Sequence, residues 1–190
     1  MEKVERVKAS LITMLDADYP ELLKEIDSPP AVLYVRGTLS SADRLSISVV
    51  GTRKATKYGK DAAYDLSHQL AQHGVTIISG MAHGVDAAAH QGAINGRGRT
   101  IAVMGCGVDV IYPRDHEELA RKITHNGAII SEFPIGTQPV ASNFPRRNRI
   151  LSGMSLGVLV VEAPESSGAL ITASQAGEQG REDFAIPGNV

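Results

Sequence analysis

The 190-residue chain has no tryptophan, 4% aromatic residues and one cysteine, Cys106. A lone cysteine excludes an intramolecular disulfide framework and fits a reducing compartment. With so few aromatics, a hydrophobic content of 43% describes an aliphatic core. No apolar run approaches the ~20 residues of a membrane span, and the opening Met1-Glu-Lys-Val-Glu-Arg6 is not a signal peptide. A cytoplasmic protein that keeps off membranes is expected. A net charge of −2 and a pI near 6.3 exclude a binder that works by bulk positive charge. No G-x-G-x-x-G occurs, and no acidic residue sits where a ribose partner belongs, so no nicotinamide cofactor is expected. No G-x-x-x-x-G-K-[ST] occurs either, which leaves ATP hydrolysis unsupported. Nothing completes a metal set: His83 and His90 stand two helical turns apart, and Cys106 has no cysteine partner. Neither a cofactor nor a metal is expected.

The most informative absence is local. From Phe133 to Val161 there is no Asp or Glu, yet the stretch holds Arg146, Arg147 and Arg149. A second acid-free basic run, Gly51 to Lys60, follows directly on the apolar Ile47-Ser-Val-Val50. In a nearly neutral chain such concentration points to a polyanion site. Arginine suits it, because its planar fork of donors matches phosphate oxygens.

From about Ser46 onward one pattern repeats: a β-branched apolar run, a Gly-rich turn, then a helical segment. Strands are expected at 47–50, 75–78, 100–104, 128–130, 157–161 and 183–186, and helices at 57–73, up to 93, 117–126 and 170–179. The strands read as continuous apolar runs, the mark of burial on both faces. This alternation predicts an α/β fold with a doubly wound, mostly parallel sheet. Ligands in such sheets bind outside the carboxyl ends of the strands, where every Gly-rich turn falls. Residues 1–45 differ in character and are expected to form an extension packed on a main domain of residues 46–190. Within the extension, a short helix follows Asp18-Tyr-Pro20 and a strand covers Ala31–Val35. The chain stops at Val190 just after a strand, so a further C-terminal element is expected.

Several motifs carry two readings. Gly51-Thr52-Arg53 after a buried strand either offers backbone N–H groups to a phosphate or is an ordinary turn with solvated cations. Ser79 and Gly80 read as a second anion turn, with Ser79 donating to a phosphate; the alternative is a packing turn. Asp86 reads as structural, placed in the first turn of a helix where the dipole favours it. Glu162, at a strand end, is either a general base or a carboxylate that anchors a loop; the second is preferred. Cys106, between two glycines after a strand, is either a nucleophile or a small buried residue; the second is preferred. The helix opened by Ser166-Ser167-Gly168 either offers its free N–H groups to a phosphate or is capped by Ser166 or Ser167. Asn148, between two arginines, can bond base edges or phosphates. Phe144 either stacks on a base or anchors the core beside Pro145.

These segments together resemble the DNA-processing protein A (DprA/Smf) family. The resemblance rests on Ile-Ser-Val-Val-Gly51-Thr-Arg53-x-x-x-x-Tyr58-Gly59, on Ser79-Gly80-Met-Ala-His-Gly84-Val-Asp86-x-x-Ala-His90 and on Asn143-Phe-Pro-Arg-Arg-Asn-Arg149-x-x-Ser-Gly153. It extends to Val-Val-Glu162-Ala-x-x-x-Ser-Gly168-Ala-Leu-Ile-Thr172-Ala and Phe184-Ala-Ile-Pro-Gly188-Asn, in order from about Tyr19 to Asn189. It implies an extended Rossmann-like domain that binds single-stranded DNA and helps load the RecA recombinase in natural transformation, acting as a homodimer by binding rather than catalysis. The phosphate-holding loops would be Gly51, Thr52 and Arg53, then Ser79 and Gly80, then the Arg146–Arg149 segment. The chain has Thr52 where the family commonly has Ser, and His83 where it commonly has Arg. The rival is a phosphoribohydrolase-like enzyme acting on a nucleotide in the same fold. That group carries Pro-Gly-Gly-x-Gly-Thr-x-x-Glu, which the turn after Glu162 lacks.

Overall fold

The computed structural model describes residues 2–165 and 167–188, so Ser166, one of the two expected cap residues, lies outside them. Among the described residues, eight strands form one sheet in the order β1-β2-β6-β5-β4-β3-β7-β8. The parallel part comprises β3 (Ser46–Val50), β4 (Thr76–Ser79), β5 (Thr100–Val103), β6 (Gly127–Ser131), β7 (Gly157–Val160) and β8 (Glu182–Ala185). The crossovers run through α3 (Lys57–Gln72), α4 (Val85–Asn95), α5 (Glu117–His125), α6 (Asn143–Gly153) and α7 (Gly168–Glu178). The fold is the expected α/β, Rossmann-like one.

Burial follows the apolar runs. Nearly all residues of β3 to β7 are buried, so the continuous hydrophobic patterning reports cover on both faces. Edge strand β8 departs from this: all of its residues are exposed, because strand pairing on one side leaves its other flank and much of its faces to solvent.

Residues 1–45, expected as an extension packed on the core, also build the sheet itself. β1 (Ser10–Thr13) pairs antiparallel with β2 (Val32–Gly37), and β2 pairs antiparallel with β6. The short α2 (Glu21–Lys24) seats Leu23 in the core with Tyr19 and Ile26 against Ile150, Leu151 and Met154 of the α6 region. The Tyr19 hydroxyl donates to the Pro30 carbonyl at 2.6 Å. Burial pushes that phenol up to about 12. The short α1 (Glu2–Arg6) precedes β1.

Two features position the site. First, the chain winds outward from β3 through β4 and β5 to β6, then returns across the sheet to β7 on the other side of β3. The carboxyl ends of β3 and β7 therefore flank the point where the winding reverses, the standard crevice of open α/β sheets. Second, α6 is an eleven-residue helix with Pro145 in its first turn, where the missing N–H of proline breaks no helical bond.

Candidate nucleic-acid interface

A cleft of about 780 Å³ opens at that reversal point, within the range of ligand sites. The loops after β3 and β7 and the starts of α6 and α7 form its walls. Of the residues singled out in the sequence, Gly51, Thr52, Arg53, Phe144, Arg147 and Asn148 line it, with Lys54 and Tyr112.

The loop after β3 is held from both sides. The Thr52 N–H donates to the Glu162 carbonyl at 2.7 Å, and the Thr52 carbonyl accepts from the Val85 N–H at 3.3 Å. Gly84 makes this possible. Its φ of 75° lies in the left-handed region, and a side chain there would run into the carbonyls of Thr52 and Arg53. The Glu162 carboxylate accepts from the Thr56 N–H at 3.1 Å and the Thr56 hydroxyl at 2.9 Å. Thr56 in turn caps α3 by accepting from the Gly59 N–H. Glu162 is thus an anchoring carboxylate. Ser167 caps α7 through the Ala169 N–H.

Arg53 and Lys54 are exposed, and neither side chain makes a hydrogen bond or ion pair among the described residues; the Lys54 N–H donates to the Thr52 hydroxyl at 3.2 Å. The Arg53 guanidinium lies 5.4 Å from the Phe144 ring centroid. Phe144 is half-buried, with Tyr112 at 5.6 Å and tilted by 43°, and Arg147 at 6.0 Å. An aromatic ring carrying an exposed guanidinium offers a stacking plane beside a phosphate ligand. Tyr112 went unrecognised in the sequence because its neighbourhood, Val110 to Pro113, carries no charge pattern; its proximity to Phe144 arises in three dimensions.

The other arginines do different work. Arg147 is buried, and its Nη1 donates to the carbonyls of Gly80, at 3.1 Å, and Val103. Burial pulls this guanidinium down to about 10; the Asp86 charge opposes that shift and the Arg53 charge adds to it. Asp86 is buried as well and accepts from the N–H groups of Gly80 at 3.1 Å and Ala82 at 3.2 Å. Burial raises its carboxyl above the usual range, while the Arg147 charge and those hydrogen bonds lower it. Gly80 leaves room for a guanidinium rather than a phosphate: a Cβ there would lie 2.5 Å from both Nη1 and Nη2 of Arg147. Ser79 is buried and donates its hydroxyl to the Val49 carbonyl at 2.7 Å. The expected second anion turn is therefore a scaffold, with its side-chain donor and the Gly80 N–H already committed inside the protein. Asn148 likewise donates to the Gly168 carbonyl at 3.1 Å and ties α6 to α7.

Arg146 and Arg149 point away from the cleft. Both pair with Glu132, Arg146 at 3.1 Å and Arg149 at 2.8 and 2.9 Å, and Arg149 also donates to the Ser28 carbonyl. The residue just before the acid-free stretch supplies one carboxylate, which two of its three arginines share. Consecutive helical positions are separated by about 100°, which sends Arg147 and its neighbours at 146 and 149 to different faces. Cys106 is buried, donates to the Val110 carbonyl, and burial pushes its thiol up to about 11, as expected of an inert packing cysteine.

Residues 10–190 match the sequence profile of the family described as DNA recombination-mediator protein A. The chain belongs to this family. It is 45% identical to Protein Smf of Synechocystis over 98% of its own length and 48% of that protein. The solved structure of DNA processing protein A from Streptococcus pneumoniae superposes with a TM-score of 0.89 at 39% identity, over 96% of this chain and 64% of that one. A second structure superposes with a TM-score of 0.86 at 29% identity, over 96% of this chain and 82% of that one. It describes the single-stranded DNA binding mode of DNA processing protein A from Helicobacter pylori. The chain spans about half the length of the Synechocystis relative. Among the described residues of this DNA recombination-mediator A family member, no helix is long and apolar enough to cross a membrane.

Proposed function

We propose that the cleft binds single-stranded DNA, and that the protein serves as a recombination mediator that loads the RecA recombinase onto such DNA during natural transformation. In this reading it works in the cytoplasm as a homodimer, by binding and not by catalysis. Family membership supports it, as does the single-stranded DNA bound by the Helicobacter pylori relative. The observation that carries it is the pairing of Arg53 with Phe144: an exposed guanidinium without an acidic partner among the described residues, resting on an aromatic ring in the switch-point cleft. Arg53 and Lys54 would hold phosphates, while Phe144 and Tyr112 would take bases on their faces. Such contacts tolerate any base sequence and weaken with salt. A cleft at a strand edge admits a bent single strand better than a rigid duplex. The nucleotide-cleaving alternative would need Glu162 as a base, yet this carboxylate is committed to Thr56.

The test is fluorescence anisotropy of labelled oligo-dT across a salt series. Binding should fall with salt at a log–log slope of about 0.7 per phosphate contacted, and duplex DNA should bind more weakly. Preference for duplex, or release of free base from a nucleoside monophosphate that is lost in Glu162→Ala, would overturn the reading.

A further inference from the structure

Beside the cleft, two separate segments bring together three metal-ligating side chains. His83 lies in the loop between β4 and α4. Asp115 and His116 lie in the 3₁₀ turn Arg114–His116 ahead of α5. One ligand atom from each lies within 4.8 Å of the others. His83 Nε2 is 3.6 Å from Asp115 Oδ1, and the two imidazole rings meet edge-on, 4.7 Å apart at 74°.

The His116 tautomer follows from its partner. Its Nδ1 lies 2.9 Å from the Met81 carbonyl. A carbonyl has no proton to give, so Nδ1 carries the proton, and in the neutral ring Nε2 keeps the lone pair. An imidazole that donates one N–H to a backbone carbonyl and presents the other nitrogen is the usual state of a metal-bound histidine. Met81 is itself unusual. Its φ of 58° is the left-handed region, which few residues other than glycine adopt. That conformation belongs to the same loop that holds His83.

Two imidazoles and a carboxylate suit zinc and its late first-row neighbours, and three protein ligands leave a coordination position open. Bonds of about 2.0–2.2 Å bring tetrahedral ligand atoms to about 3.3–3.5 Å of one another. The pair already at 3.6 Å is close to this, and the exposed side chains of His83 and Asp115 can rotate to close the rest. We propose that His83, Asp115 and His116 form a binding site for one divalent ion of the zinc class. His83 also lines a cavity of about 60 Å³ with Arg53, Gly80, Tyr112 and Phe144. Through His83 the site adjoins the cavity that Arg53 also lines, and an ion held there would offer a phosphate oxygen a further ligand position at the cleft rim. This last step rests on the single-stranded DNA reading.

Isothermal titration of the chelator-treated protein with zinc tests the site. One ion should bind per chain. His83→Ala, Asp115→Asn and His116→Ala should each raise Kd by at least the roughly 10–100-fold that loss of even an outer-shell partner costs, while His73→Ala should change nothing. His83 and Asp115 are exposed, so their variants remain folded, which a thermal melt verifies. Absence of zinc binding, or binding unmoved by the His83 and Asp115 variants, overturns the proposal. Oligo-dT anisotropy with and without zinc then separates the two readings. Zinc should tighten binding in the intact protein and not in His83→Ala. Zinc that binds without affecting oligo-dT overturns the phosphate role. Zinc that binds to a protein indifferent to oligo-dT leaves the ion site standing and overturns the DNA reading of the cleft.

Discussion

Arg53 and Gly80 show how differently two residues of neighbouring loops act. Arg53 is exposed and makes no internal bond among the described residues, so Arg53→Ala should leave the melting temperature unchanged. Under the proposed function it should lose a charge-assisted phosphate contact of about 1.5–3 kcal/mol, roughly 10–100-fold in oligo-dT affinity. The salt slope should fall by about 0.7. Gly80→Ala should do the reverse. The added Cβ meets a guanidinium pinned by the Gly80 and Val103 carbonyls, and overpacking of this kind costs about 1–3 kcal/mol. Urea unfolding midpoints of the two variants measure the difference directly.

Helix α6 joins two functions by having two faces. One carries Phe144, Arg147, Asn148 and Leu151 toward the cleft. The other carries Arg146 and Arg149 to Glu132, whose side chain is 5% exposed. Arg149→Ala leaves that buried carboxylate with the more exposed Arg146 as its cationic partner. It should destabilise the protein by about 2–3 kcal/mol, read as a lower urea midpoint, with oligo-dT affinity per folded molecule unchanged. Phe144→Leu keeps an apolar side chain over Gly105 but removes the stacking plane. It should cost about 1–3 kcal/mol of single-strand binding and less in stability, measured by anisotropy beside a melt. The three arginines were legible in the sequence as a cluster; their division was not, since a helix sorts its residues by rotation and Glu132 falls outside the acid-free window.

At the scale of the whole molecule, the buried His90 links the fold to pH. Its Nδ1 sits 2.7 Å from Thr100 Oγ1, which gives its own proton to the Ile77 carbonyl, so Nδ1 is the donor. Burial pulls its pKa from 6.5 to about 3, with the charges of His116 and Arg147 adding to the shift. A base with a depressed pKa takes up its proton in the unfolded chain first. Between pH 6.5 and about 3 the unfolded state holds the extra proton. Stability is therefore fully present above that window and declines as pH falls through it, by up to about 1.4 kcal/mol per pH unit. Urea midpoints measured from about pH 7 down to about pH 5 should fall in the intact protein, and the slope should flatten in His90→Asn, whose amide can still donate to Thr100.

What the sequence determined by itself was whatever depends on near neighbours along the chain. Continuous β-branched runs announced buried parallel strands, and the alternation with helices announced the doubly wound sheet. The glycine-rich turns then fell at the carboxyl edge, so Gly51, Thr52 and Arg53 could be placed there in advance, while Phe144 kept two readings. The tertiary structure alone decided which polar groups were already engaged. Ser79 gives its proton to Val49, Asn148 binds Gly168, and Arg147 is locked between Gly80 and Val103. It also decided that β1 and β2 extend the sheet, and that Asp115 and His116 meet His83. The reason is physical: hydrogen bonds, ion pairs and ligand sets depend on distance in space, and partners far apart in sequence leave no periodicity to read.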